Sequence, residues 1–252
     1  MRNWALIPAR AGSQRVKNKN LRILGGYHLI EWTILPTLRC NFDKVIVCTN
    51  SCVISEVAMM HGVDVFRRSH SNCESNSADI EWIDELFTYF KDDLPDIFTI
   101  LRPTSPFRSP ELILDAINKF DDSGCDSLRA VEKCSISPYK MWKIKQNQLI
   151  PFKKKTISQK GYQIPAHSYP TQHSADIYKQ NACIEVSYTS NVTKMKSITG
   201  NSIYPYIMED TYQGLDINTE EDYKFAEFLI ERGEIPKIIY SLPSKGGDLL
   251  NK

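Results

Sequence analysis

Through the first half of the chain, short apolar runs of strand length alternate with segments whose apolar residues recur at three- and four-residue steps. This alternation constrains the fold more than any other feature. Trp4-Ala-Leu-Ile-Pro8, Asp43 to Thr49, Val63 to Phe66 and Ile97 to Leu101 are the strand-like runs. Between them lie His28 to Arg39, a polar–apolar stretch from Ser51 to His61, and Ala78 to Lys91, where Ile80, Ile83, Phe87 and Phe90 share one helical face. A helix is expected from Pro110, with Ser109 as N-cap and Leu112, Ile113, Ala116, Ile117 and Phe120 facing the core. Continuous rather than alternating apolar strands are the mark of a sheet buried on both faces. Strands separated by helices of this length imply right-handed βαβ units around a mostly parallel sheet. The fold class is therefore α/β.

After Asp126-Ser-Leu-Arg-Ala-Val131 the rhythm changes. Tyr139 to Ile144, Gln148 to Phe152, a basic and polar stretch from Lys153 to His173, and a strand-like Ala182 to Ser187 predict a β-rich lobe inserted at about residues 133–190 of one domain spanning 1–239. A last helix is expected after Asp216-Ile-Asn218, with Thr219 as N-cap and Glu220, Glu221 and Asp222 in its first turn, where acids suit the helix dipole. Residues 240–252, with Pro243 and Gly246-Gly247, are expected to form a loosely held tail.

Charge and cysteine content exclude several function classes. Among 252 residues, 31 Lys and Arg face 30 Asp and Glu, a formal net charge of +1, so no global field draws the protein to nucleic acid or an anionic membrane. No apolar run approaches the ~20 residues needed to cross a bilayer. The opening Met-Arg-Asn-Trp-Ala-Leu-Ile-Pro lacks the apolar segment and cleavage site of a secretory signal, so a cytoplasmic location is expected. The seven cysteines contain no C-x-x-C pair and are expected to pack as reduced, small apolar residues. The five histidines show no metal-ligand spacing.

The chemistry is expected to start in Pro8-Ala-Arg-Ala-Gly-Ser-Gln-Arg-Val-Lys-Asn-Lys-Asn20, directly after the first strand. A Gly-Ser turn exposes backbone N–H groups, and Arg10, Arg15, Lys17 and Lys19 bring cations to the carboxyl edge of the sheet, where open α/β folds bind ligands. A polyphosphate is the expected guest. The spacing matches neither the Walker loop nor the dinucleotide fingerprint.

In position and residue order this loop resembles the signature of the CMP-sialic acid synthetases, the acylneuraminate cytidylyltransferases, whose first strand runs into A-R-x-G-S and ends in K-N. Four further blocks carry the resemblance in order. VIVCTN resembles the family's second strand, and Arg102-Pro-Thr-Ser-Pro-Phe-Arg108 its P-T-S-P-x-R loop. Tyr178 to Ile184 resembles its aromatic-x-x-N-G/A strand, and Leu215-Asp-Ile-Asn-Thr-Glu-Glu-Asp222 its closing D-I-D-T-E-x-D.

The resemblance implies a Rossmann-like nucleotidyltransferase with an inserted lobe that caps the site or makes a homodimer contact. It implies transfer of CMP from CTP to a nonulosonic sugar acid for surface glycans, with release of pyrophosphate. Arg10, Lys19 and Asp216 would be catalytic, and Ala9, Arg10, Gly12, Ser13, Lys19, Asn20 and Arg68 would bind the nucleotide. Arg102, Thr104, Ser105, Tyr178, Lys179 and Asn181 would meet the acceptor, and Asp216 with Asn218 would hold Mg²⁺ or Mn²⁺, a hard cation bound by few carboxylates plus phosphate oxygens.

Four positions depart from the pattern: Asn218 replaces a second aspartate, Gln14 a lysine, Arg102 a glutamine, and Thr171 the arginine near the sugar acid's carboxylate. Thr171 has no fork to offer a carboxylate, so either Lys179 or Arg102 takes that part or the acceptor is not a standard sialic acid. Alternatives of the same fold are another acceptor (sugar, sugar phosphate or phosphonate) or another NTP, and beyond those a non-catalytic nucleotide-binding homologue. The last predicts erosion of the loop and of Asp216, which are both present.

Overall fold

The structure is a computed structural model of the chain that describes residues 1–13, 15–74, 77–170, 176–209 and 212–235. In chain order its strands and α-helices are β1 (Asn3–Pro8), β2 (Ile23–Leu24), β3 (Tyr27–His28), α1 (Glu31–Thr37), β4 (Lys44–Thr49), α2 (Cys52–Met60), β5 (Asp64–Arg67), α3 (Asp79–Tyr89), β6 (Ile97–Ile100), α4 (Pro110–Ser123) and β7 (Ser127–Lys133). There follow β8 (Trp142–Lys145), β9 (Gln148–Pro151), β10 (Thr156–Gln159), β11 (Tyr162–Pro165), β12 (Tyr178–Tyr188), α5 (Thr189–Met195), β13 (Ile203–Met208) and α6 (Glu220–Glu231).

A seven-stranded sheet in the order β13-β7-β12-β6-β1-β4-β5 forms the core of the larger unit, made of the described residues within 1–130 and 181–235. Strand β1 pairs in parallel with β4 and β6, and β4 pairs in parallel with β5. Strand β12 runs antiparallel to β6, with Glu185 opposite Ile100. Alternation along β1 sorts its residues to two faces. Ala5 and Ile7 pack with residues of α1, α2 and α4, whereas Trp4 and Leu6 pack with Trp82, Ile83, Leu86 and Phe87 of α3 and with Val192 of α5. Helices on both faces explain why these strands read as uninterrupted apolar runs. A third cluster, including Leu24, Leu29, Trp32, Phe107, Ile217 and Tyr223, seats α6 against α1.

The helix starts form where their residues dictate. The Ser109 side chain accepts the N–H of Leu112, with Pro110 at the first helical position of α4. At α6, Thr219 and Asp222 form a reciprocal capping box.

The second unit is Val131–Gln180 and contains the hairpins β8–β9 and β10–β11. The lobe expected at about 133–190 therefore ends earlier. Ala182 to Ser187 belongs to the central sheet, because its apolar residues Cys183, Ile184 and Val186 are buried there in register with β6. The tail expected at 240–252 lies outside the described residues. Among the described residues no helix is long and apolar enough to cross a membrane.

Candidate active site

Parallel strands deliver their carboxyl ends to one edge of a sheet, and four loops here leave that edge together. Arg10 follows β1, Asn50 follows β4, Arg68 follows β5 and Arg102 follows β6. Around them lies a cavity of about 600 Å³ whose walls include Arg10, Ser13, Arg15, Lys19, Asn20, Arg68, Asp79, Arg102 and Thr104.

Side chains hold the first loop open over this cavity. The N–H of Ala11 is accepted by Asn50 Oδ1 at 2.8 Å, and Arg10 Nη1 donates to the carbonyl of Cys73 at 2.9 Å. Asn20, buried, donates Nδ2 to the Arg10 carbonyl at 3.3 Å. Gly12 turns the chain with φ of +80°, a conformation that suits glycine. Ala9 is buried, its N–H bonded to the carbonyl of Cys48 at 2.9 Å, and this carries the sheet's pairing to the first residue of the loop.

The loop is fastened to the turn before α6. Lys19 Nζ donates to the Ile217 carbonyl at 2.7 Å, and Arg15 Nη2 donates to Asn218 Oδ1 at 2.9 Å. The N–H of Ile217 in turn bonds the Thr104 carbonyl at 2.7 Å. Burial pushes the Lys19 ammonium below its ordinary value, with Arg15 and Arg10 adding to the effect and Asp216 and Asp222 opposing it. Arg68 is likewise lowered by burial and lies over the Trp82 ring at 5.1 Å. Confined cations of one sign, incompletely neutralised, make a receptor for a polyanion.

Asp216 opens this turn, and neither it nor Asn218 is among the side chains that line the cavity. Its Oδ2 accepts Asn218 Nδ2 at 2.5 Å, while its Oδ1 is buried without a hydrogen-bond partner among the described residues. A buried carboxylate oxygen left without a partner is costly unless a cation meets it. No group of three or more His, Cys, Asp or Glu side chains among the described residues is placed to hold a metal ion. The donor set fits Mg²⁺, which takes one or two carboxylates and completes its shell with phosphate oxygens and water. The amide of Asn218, bonded to Arg15 and Asp216, orients that carboxylate.

The other wall is differently charged. Arg102 pairs with Asp79 at 2.5 Å and with Glu185 at 2.9 Å, and Glu185 also pairs with Arg129. Burial opposes ionisation of Asp79, yet the neighbouring Arg102 and the Trp82 N–H hold its carboxyl below the usual range. Arg108, fully buried, donates to the carbonyls of Cys183 at 2.5 Å and Arg102 at 2.8 Å and to Thr33 Oγ1 at 2.7 Å. It fixes the Arg102–Arg108 loop between α1 and β12.

The residues expected at the site separate into groups. Arg10, Ser13, Lys19, Asn20, Arg68, Arg102 and Thr104 line one cavity. Ser105 is buried behind that wall, its N–H bonded to the Arg102 carbonyl at 3.2 Å. Asn181 is buried on β12, bonded to Met208 Sδ at 3.3 Å and to the Cys183 N–H at 3.1 Å, and is not among the lining side chains. Tyr178 and Lys179 belong to the second unit, where Lys179 pairs with Glu132 at 2.6 Å. Thr171 and Gln14 lie outside the described residues. Lys17 is exposed and is not among the lining side chains. Sequence reasoning missed Asp79 and Glu185. A carboxylate opening α3 and another inside the apolar run Cys183 to Val186 were the available signals, since a charge is buried in a strand only when paired.

Residues 4–227 match the family described as Cytidylyltransferase. The chain is 31% identical over 236 residues to the CMP-N,N'-diacetyllegionaminic acid synthase of Legionella pneumophila, covering 92% of this chain and 97% of that protein. It is 27% identical over 237 residues to the N-acylneuraminate cytidylyltransferase of Escherichia coli, covering 93% of this chain but only 53% of that longer protein. Among solved structures it is similar to a CMP:2-keto-3-deoxy-manno-octonic acid synthetase complexed with CTP, with a TM-score of 0.66 at 14% identity, covering 92% of this chain and 99% of that one, a likeness of fold. The basic loop, the edge-of-sheet cavity and the extent of these matches agree: the chain is a nucleotidyltransferase that belongs to the cytidylyltransferase family and, within it, to the CMP-sialic acid synthetases.

Proposed function

We propose that this enzyme transfers CMP from CTP to a nonulosonic, sialic-acid-like sugar acid and releases pyrophosphate, with a di-N-acylated acid of the legionaminic type as the favoured acceptor. The observation that carries the reading is that the basic loop, whose Arg10, Arg15 and Lys19 line the cavity, is fastened to the Asp216–Asn218 turn through Lys19 to Ile217 and Arg15 to Asn218. The similarity to the Legionella synthase over nearly its whole length supports the acceptor class.

In the reaction an acceptor hydroxyl oxygen attacks the α-phosphorus in line, its O–P bond forms as the bond to pyrophosphate breaks, and the hydroxyl proton passes to solvent water. Arg10, Arg15 and Lys19 surround the triphosphate, so the charge that grows on the departing pyrophosphate meets cations already in place. Ser13 and the N–H groups of the Gly-Ser turn add neutral donors, and Asn20 holds the loop against Arg10. Arg68, which lines the same cavity, would meet the base or the phosphates. Asp216, beside Asn218, would hold a Mg²⁺ or Mn²⁺ ion, which would supply charge neutralisation on the phosphate oxygens. Within this reading the enzyme works in the cytoplasm as a homodimer and supplies an activated sugar for surface glycans.

The test is pyrophosphate release from each of the four NTPs crossed with sialic, legionaminic, pseudaminic and deoxyoctulosonic acids in the presence of Mg²⁺. CTP with a nonulosonic acid is expected to give the signal. Turnover with another base, or with a sugar phosphate instead, would replace this assignment with a sister reaction of the same fold.

A further inference from the structure

Arg102 has the charge to receive an acceptor's carboxylate, but its hydrogen bonds are almost all taken. A guanidinium offers five N–H donors in a fixed plane. Nε and Nη2 both donate to Glu185 Oε1, at 3.2 and 2.9 Å, while Nη2 and Nη1 donate to the two oxygens of Asp79, at 2.5 and 3.4 Å. One N–H, on Nη1, remains. Asp79 is nearly as occupied: Oδ1 accepts both Arg102 and the Trp82 Nε1 at 2.8 Å, and Oδ2 accepts Arg102. A carboxylate has about four lone-pair sites, so one acceptor position remains on Oδ2.

The surroundings make this pair stiff. Arg129 holds Glu185 from the other side, Arg108 pins the Arg102 carbonyl, and the Thr104 carbonyl is bonded to Ile217 beside the metal carboxylate. The wall carrying Arg102, Asp79 and Thr104 thus lines the same cavity as Arg10, Ser13 and Lys19, and in the transfer reading it is the side left to the acceptor. A third carboxylate brought to Arg102 would face Asp79 and Glu185 across a half-buried site, and like charges so placed repel with little screening.

We propose that Asp79 and Arg102 form a charge-balanced recognition pair that reads an uncharged substituent of the acceptor, the N-acyl amide group, and that the acceptor's carboxylate is held elsewhere. An amide carries one donor and one acceptor, the complement of what the pair leaves open. This inference rests on the CMP-transfer reading. It makes Asp79 a specificity-determining residue, and Glu185 and Arg129 positioning residues that act through Arg102.

The experiment compares Asp79→Asn with the parent enzyme on two acceptors that share the carboxylate, N,N'-diacetyllegionaminic acid and deoxyoctulosonic acid, which has no N-acyl group. Asp79→Asn presents a donor where the pair needs an acceptor, so KM for the N-acylated acid is expected to rise about ten-fold or more, as loss of a hydrogen bond to a charged group does. KM for CTP should stay within about two-fold, and the preference between the two acids should shrink. If Asp79 only restrains a carboxylate-binding Arg102, the same variant frees the guanidinium and lowers KM for both acids, which overturns the proposal. An equal rise for both acids, or a rise confined to CTP, overturns it as well.

Should Asp79→Asn fail to fold, Arg102→Gln is expected to show the same selective loss. Calorimetric titration of each acid into enzyme saturated with a non-hydrolysable CTP analogue reads the pair without turnover. An enzyme that binds both acids with the expected preference yet releases no pyrophosphate would defeat the transfer reading and leave this one standing.

Discussion

Lys19 Nζ and the backbone carbonyl of Ile217 are joined by a 2.7 Å hydrogen bond, so the cation that closes the first loop reports directly on the turn that carries Asp216. Burial lowers the Lys19 pKa from the ordinary lysine value of 10.5. A lysine with a lowered pKa loses its charge earlier as pH rises, and with it the contact to a triphosphate. The kcat/KM for CTP, which follows free-enzyme ionisations, is therefore expected to fall on the alkaline side at a pH below 10.5. Lys19→Arg keeps its charge throughout that range and should move the alkaline limb upward, even if its larger head reduces the plateau. An unmoved limb would assign the ionisation to another group. Lys19→Ala is expected to lose about 10²–10³-fold in kcat, the scale of a removed transition-state donor.

Asp216 and Asn218 make a second prediction. Asp216→Ala should abolish turnover while circular dichroism and melting temperature stay near those of the parent, because the loss of the Asn218 Nδ2 bond to Oδ2 is offset by removal of a buried Oδ1 that has no hydrogen-bond partner among the described residues. Asn218→Asp restores a second carboxylate but removes the amide that donates to Asp216 Oδ2. Without metal the two carboxylates repel, so the melting temperature in EDTA should fall. With metal they share a cation, so half-maximal activity should need less Mg²⁺. A variant that melts lower in both conditions and needs more Mg²⁺ would show that the amide itself is required.

Much of this architecture was legible because burial on both faces leaves a direct mark. The runs Trp4 to Pro8, Lys44 to Thr49 and Ile97 to Ile100 are apolar without alternation, and each ends where a polar loop must leave the sheet. Ser109 and Thr219 announced helix starts because their cap chemistry is local. The lobe boundary was not legible. Strand β12 opens with Tyr178-Lys-Gln-Asn181, which looks like surface, and its pairing with β6 is a contact across more than 80 positions that no local pattern encodes. The occupied state of Arg102 was hidden for the same reason, since Asp79 and Glu185 are 23 and 83 residues away. Strand β13 was within reach, for its inward residues Tyr206 and Met208 alternate with exposed Ile203, Pro205 and Ile207.

Arg108 shows how a site motif can serve structure. Its side chain is buried and spends its donors on two carbonyls and a threonine, with no carboxylate partner among the described residues. Arg108→Met removes a desolvated charge but takes a donor from the Cys183 carbonyl, from Thr33 Oγ1 and from the Arg102 carbonyl, which keeps the Ser105 N–H; each acceptor left unpaired costs about 1–3 kcal/mol. The loop from Arg102 to Arg108 would then lose its anchor, so KM for the acceptor is expected to rise along with the loss of stability in urea. A variant of unchanged stability would mean that the acceptors find new partners as the loop shifts.

Gly200 provides the control that separates stability from function. It turns with φ of +64°, and a Cβ added there would lie 2.4 Å from Asp126 Cβ, a distance no real pair of such atoms tolerates. Asp126 is not free to retreat, because its carboxylate accepts the N–H groups of Asn201 and Ser202 at 2.7 and 3.0 Å, which hold it below the ordinary aspartate range. Gly200→Ala must therefore strain the backbone or break those bonds, at a cost of about 2–4 kcal/mol when the positive φ and the clash are taken together. The turn joins α5 to β13 and contributes nothing to the cavity wall. Below its own melting temperature the variant is expected to keep the parent's KM for CTP and for the acceptor, even as its unfolding midpoint drops. If KM moved with the midpoint, changes in KM could no longer be credited to local contacts, and the Asp79 comparison would have to be repeated in a background of restored stability.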